Sequence, residues 1–291
     1  MRVAALLNTS SGACDASSRA ALLAILQDAG IEPTMVWDVA GSEVDRTLDA
    51  ATESEVDVLI LLGGDGTIRS AAQRSSRDGP LLMPLPGGTM NMLPKALYGA
   101  RAWRQALADT LEAPVIQPVH AGQVGSHRFF VAGVFGSASL LAEARESVRE
   151  GDVMGALGQG VAAIRQALGH ELGYRFEGEA ASKAEAVVVL CPLPPQEADI
   201  EVLLEAAAID IEGAGDAVRL AVMSAFRDWR ADETVTHARL GSLEISSDDP
   251  IPAILDGERF TLGRCERVTQ VREAFYALRP ATEAKPERDA S

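Results

Sequence analysis

The chain has 291 residues, 47% of them hydrophobic and 23% charged, enough to bury one large core or two medium ones. Its formal net charge of −16, from 26 basic against 42 acidic residues, excludes an electrostatic footprint for nucleic acid and a polybasic patch for anionic membranes. The 3 cysteines (Cys14, Cys191 and Cys265) are too widely spaced for a disulfide framework or a metal-ligand pair.

In chain order, residues 2–7 form an apolar run that ends in the turn residues Asn8, Thr9, Ser10, Ser11 and Gly12. A helix is predicted over 17–29, with Leu22, Leu23, Ile25 and Leu26 on one side and Gly30 as its stop. Residues 34–39 read as the second strand, and Ser42 as the N-cap of a helix through Ala51. The apolar run 56–62 leads into Gly63-Gly64-Asp65-Gly66-Thr67, after which a helix is expected over 68–74. Residues 80–85 form a further short strand, closed by Pro86-Gly87-Gly88-Thr89-Met90-Asn91 and a helix whose first turn accommodates Pro94. A helix over 101–111 completes the alternation. Such alternation predicts a parallel sheet covered on both faces.

Beyond Pro114 the pattern changes to short β-rich runs at 128–135, 184–190, 200–204, 218–225, 243–246, 259–262 and 266–272. That spacing predicts an antiparallel sandwich or barrel. One helix interrupts it, with Leu157, Val161, Ile164 and Leu168 at helical spacing, although Gly155, Gly158 and Gly160 should each cost about 1 kcal/mol there. The expected organisation is an α/β domain over 1–112, rejoined by residues 274–281, a β-rich sandwich domain over 113–273, and a disordered tail over 282–291. No apolar run reaches the roughly 20 residues of a membrane span. The opening Met1–Asn8 stretch reads as a core strand, so a cytoplasmic protein with reduced, buried or half-buried thiols is expected.

The chemistry concentrates in the two glycine loops. Glycines let backbone N–H groups approach an anion closely, and a helix opening there adds its dipole. Asp65 beside a phosphate is repelled unless a divalent cation bridges the two or the carboxylate handles a proton. That combination points to phosphoryl chemistry more than to dinucleotide binding. Two successive strands ending in Gly-Gly-x-x-polar place both loops at one edge of the sheet, where ligands bind. Plainer roles compete: Thr67 and Asn91 as helix caps, Ser10 and Ser11 as a strand end, and Asp256-Gly257 as a hairpin turn. Lys95 reads as a surface ion-pair residue, and His120, His127, His170 and His237 as solvated or core histidines.

Taken in order, Asn8-x-Ser10-Ser11-Gly12, Gly63-Gly64-Asp65-Gly66-Thr67, Pro86-Gly87-Gly88-Thr89-x-Asn91 and Asp256-Gly257-Glu258 resemble the diacylglycerol kinase catalytic-domain family. That family includes sphingosine and ceramide kinases and bacterial lipid kinases, and is distantly similar to NAD kinases and phosphofructokinases. The resemblance implies an N-terminal α/β domain, a C-terminal β-rich domain, and ATP with Mg2+ in the cleft between them. It implies that Asn8, Ser10 and Ser11 line the nucleotide site, that Gly63, Gly64, Asp65, Gly66 and Thr67 hold the phosphates, and that Gly87, Gly88, Thr89 and Asn91 complete the pocket. Asp256 would deprotonate the acceptor hydroxyl, Glu258 would position metal or phosphate, and Asp65 or Glu258 would meet the magnesium carried by ATP.

The chain departs from the family at Thr9 (usually Pro), Met92 (usually Asp) and His120 (usually an acid). The structural magnesium those acids help to hold is therefore expected to be absent. Asp38 stands where a Thr often borders the adenine, and Cys191-Pro192-Leu193-Pro194-Pro195 replaces an Asn- and Gly-rich stretch. The expected function is an ATP-dependent lipid kinase acting on a diacylglycerol- or sphingoid-like hydroxyl at the membrane surface. It would work without a transmembrane segment, peripherally at most, and possible self-association as a homodimer is left open. Two alternatives stand beside it: a soluble small-molecule kinase of the NAD kinase type, and a nucleotide-binding regulatory module without turnover.

Overall fold

Runs that are apolar at every position can bury both faces of a strand, and the first part of the chain uses them in a parallel sheet. In the computed structural model, which describes residues 1–136, 171–192, 202–209 and 235–281, the order opens β1 (Val3–Asn8), α1 (Ser18–Asp28), β2 (Met35–Val39), α2 (Glu43–Glu53), β3 (Val58–Gly63) and α3 (Asp65–Arg74). It continues with β4 (Leu81–Pro86), α4 (Met92–Tyr98) and α5 (Trp103–Glu112). Two compact units result, Met1–Val119 with the chain from Glu273 onward, and His120–Arg272.

In the first unit the strands run in the order β2-β1-β3-β4, all parallel, with Leu6 opposite Leu61 and Leu61 opposite Pro84. β3 is buried along its whole length and β1 at every position except Asn8. α1 ends as its Gly30 predicts: at φ +71° Gly30 donates to Gln27 O, and Ile31 donates to Leu26 O, the paired bonds of a Schellman stop. Ser42 occupies the N-cap position of α2, but its hydroxyl makes no capping bond. α3 begins at Asp65, three residues ahead of the expected start, so this acid lies in the first helical turn.

The long last strand, β16 (Cys265–Pro280), gives its end to this unit, pairing parallel with β4 at Ala277 and Leu82. Tyr98, only 1% exposed, donates its hydroxyl to Leu278 O at 2.9 Å. Burial pushes the Tyr98 phenol well above its ordinary range, and it likewise pushes the Cys191 thiol up, with the Asp256 charge adding to that rise. Both groups stay protonated when folded but ionise in the unfolded chain, near pH 10 and about 8.5 respectively. Their contribution to stability is thus complete below those values and is lost as pH rises above them. Urea melts between pH 7 and 11 should show stability falling above about pH 9. Tyr98→Phe should lower stability by about 1–2 kcal/mol at neutral pH, and its loss above pH 10 should be shallower than the parent's.

The second unit contains β5 (Pro114–Val124), whose first residues belong to the first unit, then β6 (His127–Phe129), β7 (Ala132–Gly136), β8 (Leu172–Phe176), β9 (Ser182–Ala184) and β10 (Ala186–Leu190). After these come β11 (Leu204–Ile209), β12 (Val235–Leu240), β13 (Ser242–Ser246), β14 (Ile251–Leu255) and β15 (Glu258–Leu262). One sheet runs β12-β11-β10-β7-β14-β15, antiparallel at every pairing. In the other, β13 pairs antiparallel with β8 and with the first half of β16, and β8 with β9. Phe176, Leu243, Ile245 and Val268 of the latter meet Phe135, Val187, Val189 and Leu255 of the former in one core. The architecture is that of a two-sheet sandwich.

Several expectations change. The run 128–135 is broken between Phe129 and Ala132, and the strand expected at 200–204 begins only at Leu204. Cys265, the first residue of β16, is exposed instead of buried, whereas Cys14 and Cys191 are buried as expected. The expected helix around 157–168, the run 218–225, His170 and the tail 282–291 lie outside the described residues.

Candidate functional site

Three loops meet at the carboxyl edge of the parallel sheet, and direct bonds lock each to its neighbours. Asn8, the last residue of β1, donates its side-chain amide to Thr67 Oγ1 at 2.8 Å and accepts from the Ser10 N–H at 3.0 Å. Ser11 Oγ accepts the Gly64 N–H at 2.9 Å. Gly87 N–H reaches Gly63 O at 2.9 Å, while Ala13 N–H reaches Gly87 O at 2.9 Å. Close packing explains why glycine stands at three of these positions. A Cβ on Gly63 would lie 2.6 Å from Thr67 Cβ, one on Gly87 2.8 Å from the Gly63 backbone, and one on Gly88 2.7 Å from Gly64 Cα. No real Cβ tolerates such distances.

Gly64 is different. A Cβ there would meet only Gly88 Cα at 3.7 Å and Ser11 Oγ at 3.9 Å, and its φ of −79° suits any residue. Protein packing therefore does not require glycine at 64. It stands directly before the first turn of α3, where the Asp65, Gly66 and Thr67 N–H groups have no carbonyl partner within the helix. Gly66 is exposed and Thr67 buried. This turn fits an anion.

The half-buried Asp65 points across to the third loop. Its carboxylate accepts the Asn91 N–H at 2.8 Å and the Met92 N–H at 2.6 Å, capping α4 from outside that helix. Asn91 holds a left-handed backbone (φ 50°, ψ 50°) at the N-cap position. Its side chain makes no cap bond; instead it accepts from Gly88 N–H and donates to Gly88 O, both at 2.7 Å. Thr89 is exposed, as is Lys95. Among the described residues, no three His, Cys, Asp or Glu side chains gather as a metal site.

Asp256 and Glu258 belong to the second unit. Asp256 (φ 50°) and Gly257 (φ 88°) are the two central residues of the β14–β15 hairpin, with Leu255 opposite Glu258, so the Asp-Gly turn reading holds. The carboxylate does more than turn the chain. Although Asp256 is only 7% exposed, its Oδ2 accepts the Phe130 N–H at 2.7 Å, and its Oδ1 accepts those of Val131 at 2.9 Å and Ala132 at 3.0 Å. Its own N–H donates to Ala132 O at 2.9 Å. These three donors create the break between β6 and β7. An acceptor-only group matches them, as an ionised carboxylate is. Glu258 is half-buried at the start of β15. Sequence reasoning did not anticipate these N–H groups, because main-chain donors carry no side-chain signature.

Comparison with known proteins bears on this geometry. Residues 2–124 match the family model of the diacylglycerol kinase catalytic domain. The match takes in β1 through β5 and all three interlocked loops, in agreement with the resemblance drawn from the motif order; Asp256 and Glu258 lie beyond it. A diacylglycerol kinase from Bacillus anthracis str. Sterne has a similar fold, with a TM-score of 0.69 at 18% identity over 96% of each chain. A second solved structure from that organism gives 0.70 at 18% identity over 96% of each chain. A third gives 0.68 at 19%, over 95% of this chain and 96% of the other. The diacylglycerol kinase-like fold thus extends well past the matched catalytic domain. No helix among the described residues is long and apolar enough to cross a membrane.

Proposed function

We propose that this protein is an ATP-dependent kinase that phosphorylates a hydroxyl of a diacylglycerol- or sphingoid-like lipid presented at a membrane surface. One observation carries the reading. The interlocked loops leave an anion-accepting first turn on α3, beside a glycine that packing does not require, within the stretch matching the diacylglycerol kinase catalytic domain. Bound ATP with Mg2+ would supply the transferable phosphoryl group and neutralise its charge. The chain's part is to hold it: Gly66 and Thr67 would offer N–H groups to the phosphates, Gly63 and Gly64 would let them approach the turn, and Asn8, Ser10, Ser11, Gly87, Gly88, Thr89 and Asn91 would shape the rest of the nucleotide site. Asp65 would keep the second and third loops in register. Asp256 would accept the proton of the attacking hydroxyl, and Glu258 would orient metal or phosphate.

The test is incubation with labelled ATP and a panel of diacylglycerol, sphingoid and soluble acceptors, with lipid products separated by thin-layer chromatography. A labelled lipid is expected. Gly64→Ala should fold with an unchanged melting curve, since its methyl group meets only ordinary contacts, yet lose most nucleotide binding. Labelled NAD in place of lipid would favour the soluble-substrate reading. Stabilisation by ATP without transfer to any acceptor would favour a binding module.

A further inference from the structure

The broken segment between β6 and β7 is gripped from two sides. Asp256 takes its N–H groups, at Phe130, Val131 and Ala132. Cys191, one residue past β10 and 4% exposed, takes its carbonyls. The thiol donates to Phe129 O at 3.2 Å, and the Cys191 N–H donates to Val131 O at 2.9 Å. The sulfur also accepts the Gly122 N–H from β5 at 3.2 Å. Across residues 129–132, three N–H groups are therefore fixed by a carboxylate and two carbonyls by a cysteine. An alanine at 191 would fill most of the Cys191 volume and keep the main-chain bond to Val131 O, but it would lose both sulfur bonds.

We infer that Cys191 is a positioning residue for Asp256: it fixes the carbonyl side of the 129–132 segment, so that the three N–H groups converge on one carboxylate orientation. The role of that carboxylate in phosphate transfer rests on the function proposed above; the positioning itself does not. A thiol suits the place because it both donates and accepts within a buried contact. Serine can reproduce both bonds. Alanine and valine can reproduce neither.

The experiment compares Cys191→Ser, Cys191→Ala and Cys191→Val with Val187→Ala, a substitution in the same core that touches none of these bonds. Amide hydrogen exchange at Phe130, Val131 and Ala132 is read well below each melting point. At least tenfold faster exchange in Cys191→Ala and Cys191→Val, with parental rates in Cys191→Ser and Val187→Ala, is the expected result. Unchanged exchange in Cys191→Ala, or equal acceleration in Val187→Ala, overturns the proposal. In the transfer assay kcat should fall about tenfold in Cys191→Ala with KM for ATP unchanged, and recover in Cys191→Ser. A parental kcat in an alanine variant whose amides have loosened removes the link to transfer. A parent protein that phosphorylates no acceptor removes the kinase reading alone, and the exchange rates then decide the positioning claim.

Discussion

Asp256→Asn is expected to lower the unfolding midpoint by roughly 6–12 °C, corresponding to about 3 kcal/mol, and to abolish transfer in the proposed reaction. The substitution is isosteric, and asparagine tolerates the left-handed backbone at φ 50° at least as well as aspartate, so turn strain stays out of the comparison. What changes is hydrogen-bond sense. The amide offers one oxygen and one NH2 group where two oxygens faced three donors. If the oxygen serves Val131 and Ala132, the NH2 group confronts the Phe130 N–H; if flipped, two donors lose their partner. Either way at least one buried N–H is stranded at a site only 7% exposed. Loss of a general base would remove a further 10²–10⁴-fold of rate, independently of folding. Calorimetry at neutral pH checks the first effect. A midpoint within 1–2 °C of the parent's would mean that the carboxylate does not hold the strand break, and the anchor role would be wrong.

The two units differ in how far the sequence reveals them, for a physical reason. In the parallel sheet, β1, β3 and β4 are apolar at nearly every position, and the helices between them end on glycine or turn residues. Such local signals place each element within a few residues. Antiparallel strands such as β8 and β13 alternate buried with more exposed positions, so polar residues interrupt them. β5 carries Gln117, Pro118 and His120 among its buried or half-buried positions and was not foreseen. The same holds for β8 and β12, where Arg175 and Arg239 fall within the runs. The break at 130–131 is set by a carboxylate more than 120 positions further along the chain, and nothing local announces it. In the loops, the glycines advertised close approach correctly, but most of that approach is loop against loop. Only the geometry shows that at Gly64, unlike Gly63, Gly87 and Gly88, the space is not taken by the protein.

The same distinction decides what Asp65 does, and Asp65→Ala separates the possibilities. The carboxylate already accepts two N–H groups at the start of α4, a seven-residue helix without a side-chain cap of its own. Removing it takes away both bonds and a negative charge from a helix N-terminus, a loss of about 1–2 kcal/mol. Asn91 is then released from its register, and with it the two Asn91–Gly88 bonds that shape the third loop. A shift of about 1 Å in such a positioning element can cost some 10²-fold in rate. The expected outcome is a midpoint lower by a few degrees, transfer reduced roughly 10²-fold, and an unchanged half-saturating concentration of free magnesium. Were Asp65 chiefly a metal ligand, the signature would invert. The melting curve would stay put, the magnesium requirement would rise many-fold, and excess magnesium would restore part of the rate. Titrating magnesium against transfer in parent and variant, alongside thermal melts, distinguishes the two.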